Sequence, residues 1–462
     1  MTGEGAPVDL VVAGATLVAT VDAHRRELAD GWVAIDGGRI AGVGGGPGPG
    51  SPPPPARRRV DASGCLVTPG LVNTHHHMWQ NLTRSYRPMT SEGFLGWLGA
   101  LYPLWARLDE EAIEVSTWVA LAELAAGGCT TTSDHLYLQA AGAGSFFDAQ
   151  VAAAREVGLR FTACRGSVDR SQRHGALPPD SVAQDLDTIL ADCERAVASV
   201  HDPGPLSYLR VALAPHSLHA ASDELMRGTA ALAERLDVRL HTHLAADRAD
   251  DEAARAGHGL SPVEWFEAMG WMSSRAWVAH CIFPSPAEIG RLGAAGVGVA
   301  HCATACLLMG VGITPVVDLR AAGVPVGLGV DGSSNSDSGS AWMEARTALL
   351  AGRFRGGPAA MTARDVLELA TVGGAACLGR AGEIGELTVG AAGDLAVWPL
   401  DDLAHAGAVS DPIEAWLRCG PTAPRHVVVG GRVIVDGGEL CLPGLEDRLA
   451  RHRKIARHLQ EC

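Results

Sequence analysis

Short apolar runs recur along the chain in two rhythms. From Val8 to Ile40 they are brief and broken by Gly and Asp, as in Leu10-Val11-Val12, Leu17-Val18-Ala19 and Trp32-Val33-Ala34-Ile35, and they predict an antiparallel sheet. The same rhythm returns in Leu395-Ala396-Val397-Trp398 and His426-Val427-Val428-Val429, with Gly-Gly at 430-431 and Asp-Gly at 436-437 as hairpin turns. The two ends thus predict one small β domain. Between about residues 66 and 380, continuous apolar strands alternate with helical stretches, the pattern of repeated βα units. The predicted strands are Leu66–His77, Cys129–His135, Leu159–Arg165, Leu209–His216, Val238–His243, Ala276–His280, Val297–His301 and Val326–Asp331. Ser261-Pro262-Val263-Glu264, Ser285-Pro286-Ala287-Glu288 and Thr362-Ala363-Arg364-Asp365 read as capped helix starts.

The predicted organisation is α/β: a distorted (β/α)8 TIM barrel over 66–384, a small β-sandwich domain from 1–65 and 385–440, and a helical tail over 441–462. Gly44 to Pro55 reads as a mobile loop within the β domain. With 462 residues and 47% apolar content the chain is long enough for both units. A net charge of −15 argues against nucleic acid or an anionic membrane as partner. Arg57-Arg58-Arg59 reads as a solvated loop, and Asp247, Asp250 and Asp251 as solvated charges. There is no apolar run of membrane-spanning length and no signal-peptide pattern before Asp9, so a cytoplasmic protein is expected. The eleven scattered cysteines read as reduced thiols.

Candidate chemistry collects at strand ends: His75-His76-His77, His241-Thr242-His243, Ala279-His280, Ala300-His301 and Val330-Asp331. In a parallel barrel all strands open C-terminally onto one face, so distant residues can meet there. His75 and His77 are two apart and share a side, leaving His76 structural. His243 and Asp331 would complete a four-ligand nitrogen and oxygen site with room for water. His241 shares the side of His243 but lies deeper and reads as a packed barrel histidine. Cys302 and Cys306 are not needed as ligands.

The segments Pro69-Gly70-Leu71-Val72-Asn73-Thr74-His75-His76-His77, His241-Thr242-His243, Ala279-His280 and Gly327-Leu328-Gly329-Val330-Asp331-Gly332 together resemble the amidohydrolase superfamily, in its cytosine/guanine deaminase-like branch. Gln80-Asn81-Leu82-Thr83-Arg84, Leu101 to Arg107 and Gly128 to His135 are similar to 8-oxoguanine deaminases, and triazine hydrolases belong to the same branch. The resemblance implies one divalent ion, zinc or else iron, on His75, His77, His243 and Asp331. It also implies proton transfer by Asp331, orientation of water by His280, and a homodimer. Gln80 and His216 are implied substrate contacts; Arg165 and Trp79 are further candidates at strand ends, while Tyr102 and Trp105 read as loop core. Two departures stand out. Where such deaminases carry His-x-x-Glu, this chain has His243-Leu244-Ala245-Ala246, and after the seventh strand it has the apolar Cys302-Ala303-Thr304-Ala305-Cys306. The expected activity is hydrolytic deamination of a guanine-, pterin- or triazine-like heterocycle. The alternatives are hydrolysis of a cyclic amide or carbon–halogen bond, and a metal-binding relative that has lost hydrolysis.

Overall fold

The structure is a computed structural model and describes residues 6–45, 52–140 and 142–461. Residues 46–51, the middle of the Gly/Pro segment read as a mobile loop, lie outside the described residues, as do residues 1–5 of the segment scanned for a signal.

Eight parallel strands close into a barrel in chain order: Leu71–Asn73, Cys129–Leu136, Arg160–Ser167, Leu209–Pro215, Arg239–Leu244, Ala276–His280, Gly298–His301 and Val326–Leu328. The predicted first strand, Leu66–His77, is divided in three. Gly70 is the break, since a Cβ there would fall on Thr130. Cys65–Pro69 belongs to the terminal sheet, Leu71–Asn73 to the barrel, and His76–His77 to a two-stranded ribbon with Asp331–Gly332. The seam between last and first strands is short, pairing Leu328 with Asn73 and then, beyond a bulge, Asp331 with His76. Across the bulge Asn73 Oδ1 accepts Val330 N at 2.9 Å, and His75 O accepts Asp331 N at 3.1 Å. This irregular closure carries Asp331 up beside the first histidines.

The three predicted helix starts are all capping boxes, leading into Pro262–Ala268, Pro286–Ala295 and Ala363–Glu368.

The chain ends meet in a nine-stranded sheet, where Leu395–Pro399 runs antiparallel to Cys65–Pro69. It has its own apolar core, including Leu10, Val33, Ile35, Leu395 and Val428. The expectation of a wholly antiparallel sheet is corrected, because Val8–Ala19 pairs in parallel with both Ala56–Asp61 and Cys65–Pro69. Arg57-Arg58-Arg59 is likewise a strand and not a loop. Its exposed arginines pair with acids, Arg57 with Asp9 of the adjoining strand at 2.9 Å and Arg58 with Asp436 of Arg432–Asp436 at 2.8 Å. The turn at 430-431 takes two residues of positive φ, Gly430 at 55° and Gly431 at 80°, a backbone that favours glycine.

A C-terminal helix, Leu445–Glu461, lies against the helix Glu110–Ala126 and the segment after His77. His452 Nε2 meets Asn81 Oδ1 at 2.8 Å, and Gln460 donates to Leu82 O at 2.7 Å. Among the described residues no helix is long and apolar enough to cross a membrane.

One buried ion pair fastens sheet to barrel. Arg160, on the third barrel strand, donates to both oxygens of Asp394 at 2.7 and 3.1 Å, with side chains 1% and 2% exposed, and Asp394 also accepts Gly430 N at 2.7 Å. Asp394→Ala leaves a buried guanidinium without its counter-charge and is expected to cost about 3–5 kcal/mol, read as a lower urea midpoint with unchanged slope.

Candidate metal centre

Period-two alternation decides which strand residues face the barrel interior. Cys164, Ala212, Ala214, Trp277 and Ala300 pack together inside, so His216 on the fourth strand's continuation points the same way while Arg165 and His301 point outward. Arg165 is thereby corrected as a substrate contact: it is buried against Asp192 at 2.7 Å and Gln184 at 2.8 Å, behind the barrel wall. His301 is likewise not at the shared mouth but borders a separate cavity with Thr314 and Val316. His280 follows inward-facing Ala279, yet a left-handed φ of 73° returns its ring to the mouth. Asp331 also takes a positive φ, 59°. Such backbone costs on the order of 1–3 kcal/mol per residue and marks positions held by their surroundings.

The imidazoles form a chain of hydrogen bonds whose proton positions follow from the carbonyls. Trp277 O accepts from His241 Nδ1 at 2.9 Å, so His241 Nε2 is a lone pair and accepts from His75 Nδ1 at 2.8 Å. His77 Nδ1 donates to His135 O at 2.9 Å, and His243 Nδ1 to His216 O at 2.7 Å. All three therefore present Nε2 as a lone pair. His77 Nε2 and His243 Nε2 are 3.1 Å apart, and Asp331 Oδ1 is 3.3 Å from His75 Nε2 and 3.5 Å from His77 Nε2. Four acceptors converge with no hydrogen between them, and buried His75 Nε2 has no hydrogen-bond partner. Burial and the neighbouring imidazoles hold His75 and His77 well below the ordinary histidine range, and burial brings His243 down to about 4. Burial alone would raise Asp331, but His280, His77 and His243 hold it below the usual carboxylate range. Neutral imidazoles with fixed Nδ1–H bonds and one carboxylate are the donor set a borderline divalent cation takes, so the residues fit a metal.

His135 was not among the expected site residues. Its Nε2 donates to Ala214 O at 2.8 Å, leaving buried Nδ1 unpartnered beside His75, His77 and His243. A lone strand-end histidine was its only mark in the sequence. Cys302 lies close to His75, His280 and Asp331, and Cys306 Sγ is 3.8 Å from His280 Nδ1.

The cluster floors a cleft of about 830 Å³, open mouth included. Gln80 and His216 line it; Trp79 does not. Trp79 is buried behind the cluster, its ring 5.3 Å from that of His77 and 5.0 Å from that of Tyr137. Tyr102, expected as loop core, does line the cleft, with Phe94, Trp97 and Leu98 of its helix making an apolar wall. Ala246, Ala305 and Cys306 line it as well. Asp247 and Asp250 are not merely solvated: Asp247 caps the helix Arg248–His258, and Asp250 is 3% exposed and faces the cleft. Asp331 Oδ2 accepts Asn335 Nδ2 at 3.0 Å and lies 3.8 Å from His280 Nε2.

A closed parallel barrel carrying a three-imidazole, one-carboxylate cluster at its C-terminal mouth defines a metal-dependent hydrolase class, and comparison agrees. Residues 66–434 match the amidohydrolase family, and the chain belongs to it. It is 41% identical over 439 residues to an 8-oxoguanine deaminase of Pseudomonas aeruginosa, covering 95% of this chain and 97% of that one. It is 39% identical over 403 residues to a hydroxydechloroatrazine ethylaminohydrolase of a Pseudomonas species, covering 85% and 82%. The crystal structure of an atrazine chlorohydrolase from Arthrobacter aurescens TC1, complexed with zinc, superposes with a TM-score of 0.90 at 31% identity, covering 97% of this chain and 100% of that one.

Proposed function

We propose that the protein removes an exocyclic amino group by hydrolysis from a guanine-, pterin- or triazine-like N-heterocycle, using one divalent ion, zinc in the first instance. His75, His77, His243 and Asp331 would hold the ion. The observation that carries the reading is the meeting of four lone-pair donors with no proton to share, at the floor of a cleft with an apolar wall. The names of the relatives, which act on an oxidised purine and a triazine, support the substrate class.

When bound, such an ion supplies an activated water near neutral pH for attack on an electron-poor ring carbon. Asp331 Oδ2, already beside His280 and Asn335, accepts the proton released as the carbon–oxygen bond forms and gives it to the leaving amine. His280 orients the attack from the same side. His216 and Gln80 bind the ring. Gln80 Oε1 is taken by Ser334 Oγ at 2.6 Å, whereas its buried Nε2 lacks a hydrogen-bond partner and suits a ring carbonyl or nitrogen. The apolar wall from Phe94 to Tyr102 covers the face of the ring and excludes water.

A second reading, displacement of halide from the ring, is favoured by Ala246, because chloride leaves without a proton. Purified zinc-loaded protein incubated with aminopurines, aminopterins and aminotriazines is expected to release ammonia. Chloride from chlorotriazines without ammonia from any amino-heterocycle would establish the second reading instead. Release of neither, with metal intact, would leave hydrolysis of a cyclic amide or a metal-binding protein that has lost hydrolysis.

His243→Ala removes one of the converging donors. It is expected to lose stoichiometric metal by elemental analysis, and with it at least ~10³-fold of the activity.

A further inference from the structure

A second pair of titratable groups stands in the cleft wall, outside the cation cluster. His219 Nε2 lies 2.7 Å from Asp250 Oδ1, and Asp250 Oδ2 accepts the backbone N–H of Ala246 at 2.6 Å. Both side chains line the cleft together with Ala246, His219 from the turn after the fourth barrel strand and Asp250 from the helix Arg248–His258. With Nε2 committed to Asp250, Nδ1 is the imidazole nitrogen left to meet a bound molecule.

Addition of water to an amino-heterocycle pushes an electron pair onto a ring nitrogen, which needs a proton. Few groups of the cleft can give one. Tyr102 and Tyr137 are pushed up by burial, as is the thiol of Cys306, and all three hold their protons tightly. Burial holds His216 well below the histidine range, hence unprotonated. His77, His243, His280 and Asp331 belong to the cation cluster. His219 differs: burial lowers it, but the hydrogen bond and charge of Asp250, with Asp247 behind, outweigh both that and the repulsion of Arg170, leaving it raised.

We propose that His219 is the proton donor to the ring nitrogen of the bound heterocycle, and that Asp250 is the positioning carboxylate that holds its imidazolium, together filling the role an acidic side chain at position 246 would have. The proposal rests on the deaminase reading above. In one turnover the carbon–oxygen bond forms and the carbon–amine bond breaks. One water hydrogen leaves on the amine by way of Asp331. His219 Nδ1 gives its proton to the ring nitrogen and is reset by the other water hydrogen, so the keto product and ammonia account for both, with no oxidant or reductant. The arrangement joins the pair to position 246 directly, since Asp250 bonds His219 with one oxygen and the Ala246 backbone with the other.

The test measures ammonia release against pH for the zinc-loaded wild type, H219Q, D250N and H219Q/A246E, on an amino-heterocycle that the wild type turns over. His219 is also followed by NMR in histidine-labelled protein, with H219Q assigning its signal. H219Q is expected to lower kcat by about 10²–10⁴-fold with metal content and KM little changed. The wild-type rate should fall as pH rises through the raised His219 pKa, where the proton is lost. That limb should be absent in H219Q and moved to lower pH in D250N, in step with the NMR titration. A246E should recover much of the loss in the H219Q background, which a merely structural defect would not allow. Wild-type turnover with H219Q undiminished, or a loss in H219Q that A246E does not recover and an alkaline limb that D250N does not move, would overturn the relay alone. If H219Q does not fold, the histidine signal that D250N shifts is taken as that of His219, and its titration with the D250N profile decides. A wild type that releases amine from no heterocycle would overturn the deaminase reading and the relay with it.

Discussion

Four acceptors facing one another without a hydrogen to share is an arrangement a protein does not hold without restraint. Here each imidazole is locked from behind: His75 by His241, His77 by the carbonyl of His135, His243 by the carbonyl of His216. The lock on His75 is itself secured by Trp277 O, so a carbonyl on the sixth strand sets the tautomer of a residue at the start of the barrel. Rotating any one ring to relieve the repulsion would break a buried hydrogen bond, which costs about 1–3 kcal/mol for the stranded group. The cation site is thus built by the hydrogen bonds that surround it as much as by its own atoms.

The second support is the barrel's seam. A regular eighth strand would continue its pairing with the first and leave Asp331 in the wall. Pairing stops after Leu328 and resumes at His76, and the side chain of Asn73 bridges the gap. The left-handed backbone at Asp331, and the similar one at His280, aims both side chains at the same point above the histidines. Left-handed backbone at both residues is strain held in place by the surrounding structure at the cleft floor.

The parts of this legible in the sequence were those governed by period two. His75 and His77, two apart, fall on one side, as do His241 and His243, and the eight strand positions follow from apolar runs. What misled was the same rule applied without knowing which residue of each strand faced inward. Arg165 and His301 were read as mouth residues, but the interior places of their strands are held by Cys164 and Ala300. The division of Leu66–His77 turned on Gly70, whose missing side chain matters only because Thr130 occupies that space. Asp250 looked like one of several solvated acids, because nothing in a helix's first turn announces that His219, 31 residues earlier, will be lying against it.

The nesting of the two units has a consequence for the order in which the molecule can be made. Cys65–Pro69 has its antiparallel partner at Leu395–Pro399, and Arg160 waits for Asp394. On the ribosome, the first strands and an entire barrel emerge before either partner exists. During that interval one edge of Cys65–Pro69 is an unpaired template, and the third barrel strand carries an uncompensated guanidinium. Sheet edges and long-range pairings of this kind are where nascent chains associate wrongly. These pairings can therefore form only late in the molecule's biogenesis, after the whole barrel has been made.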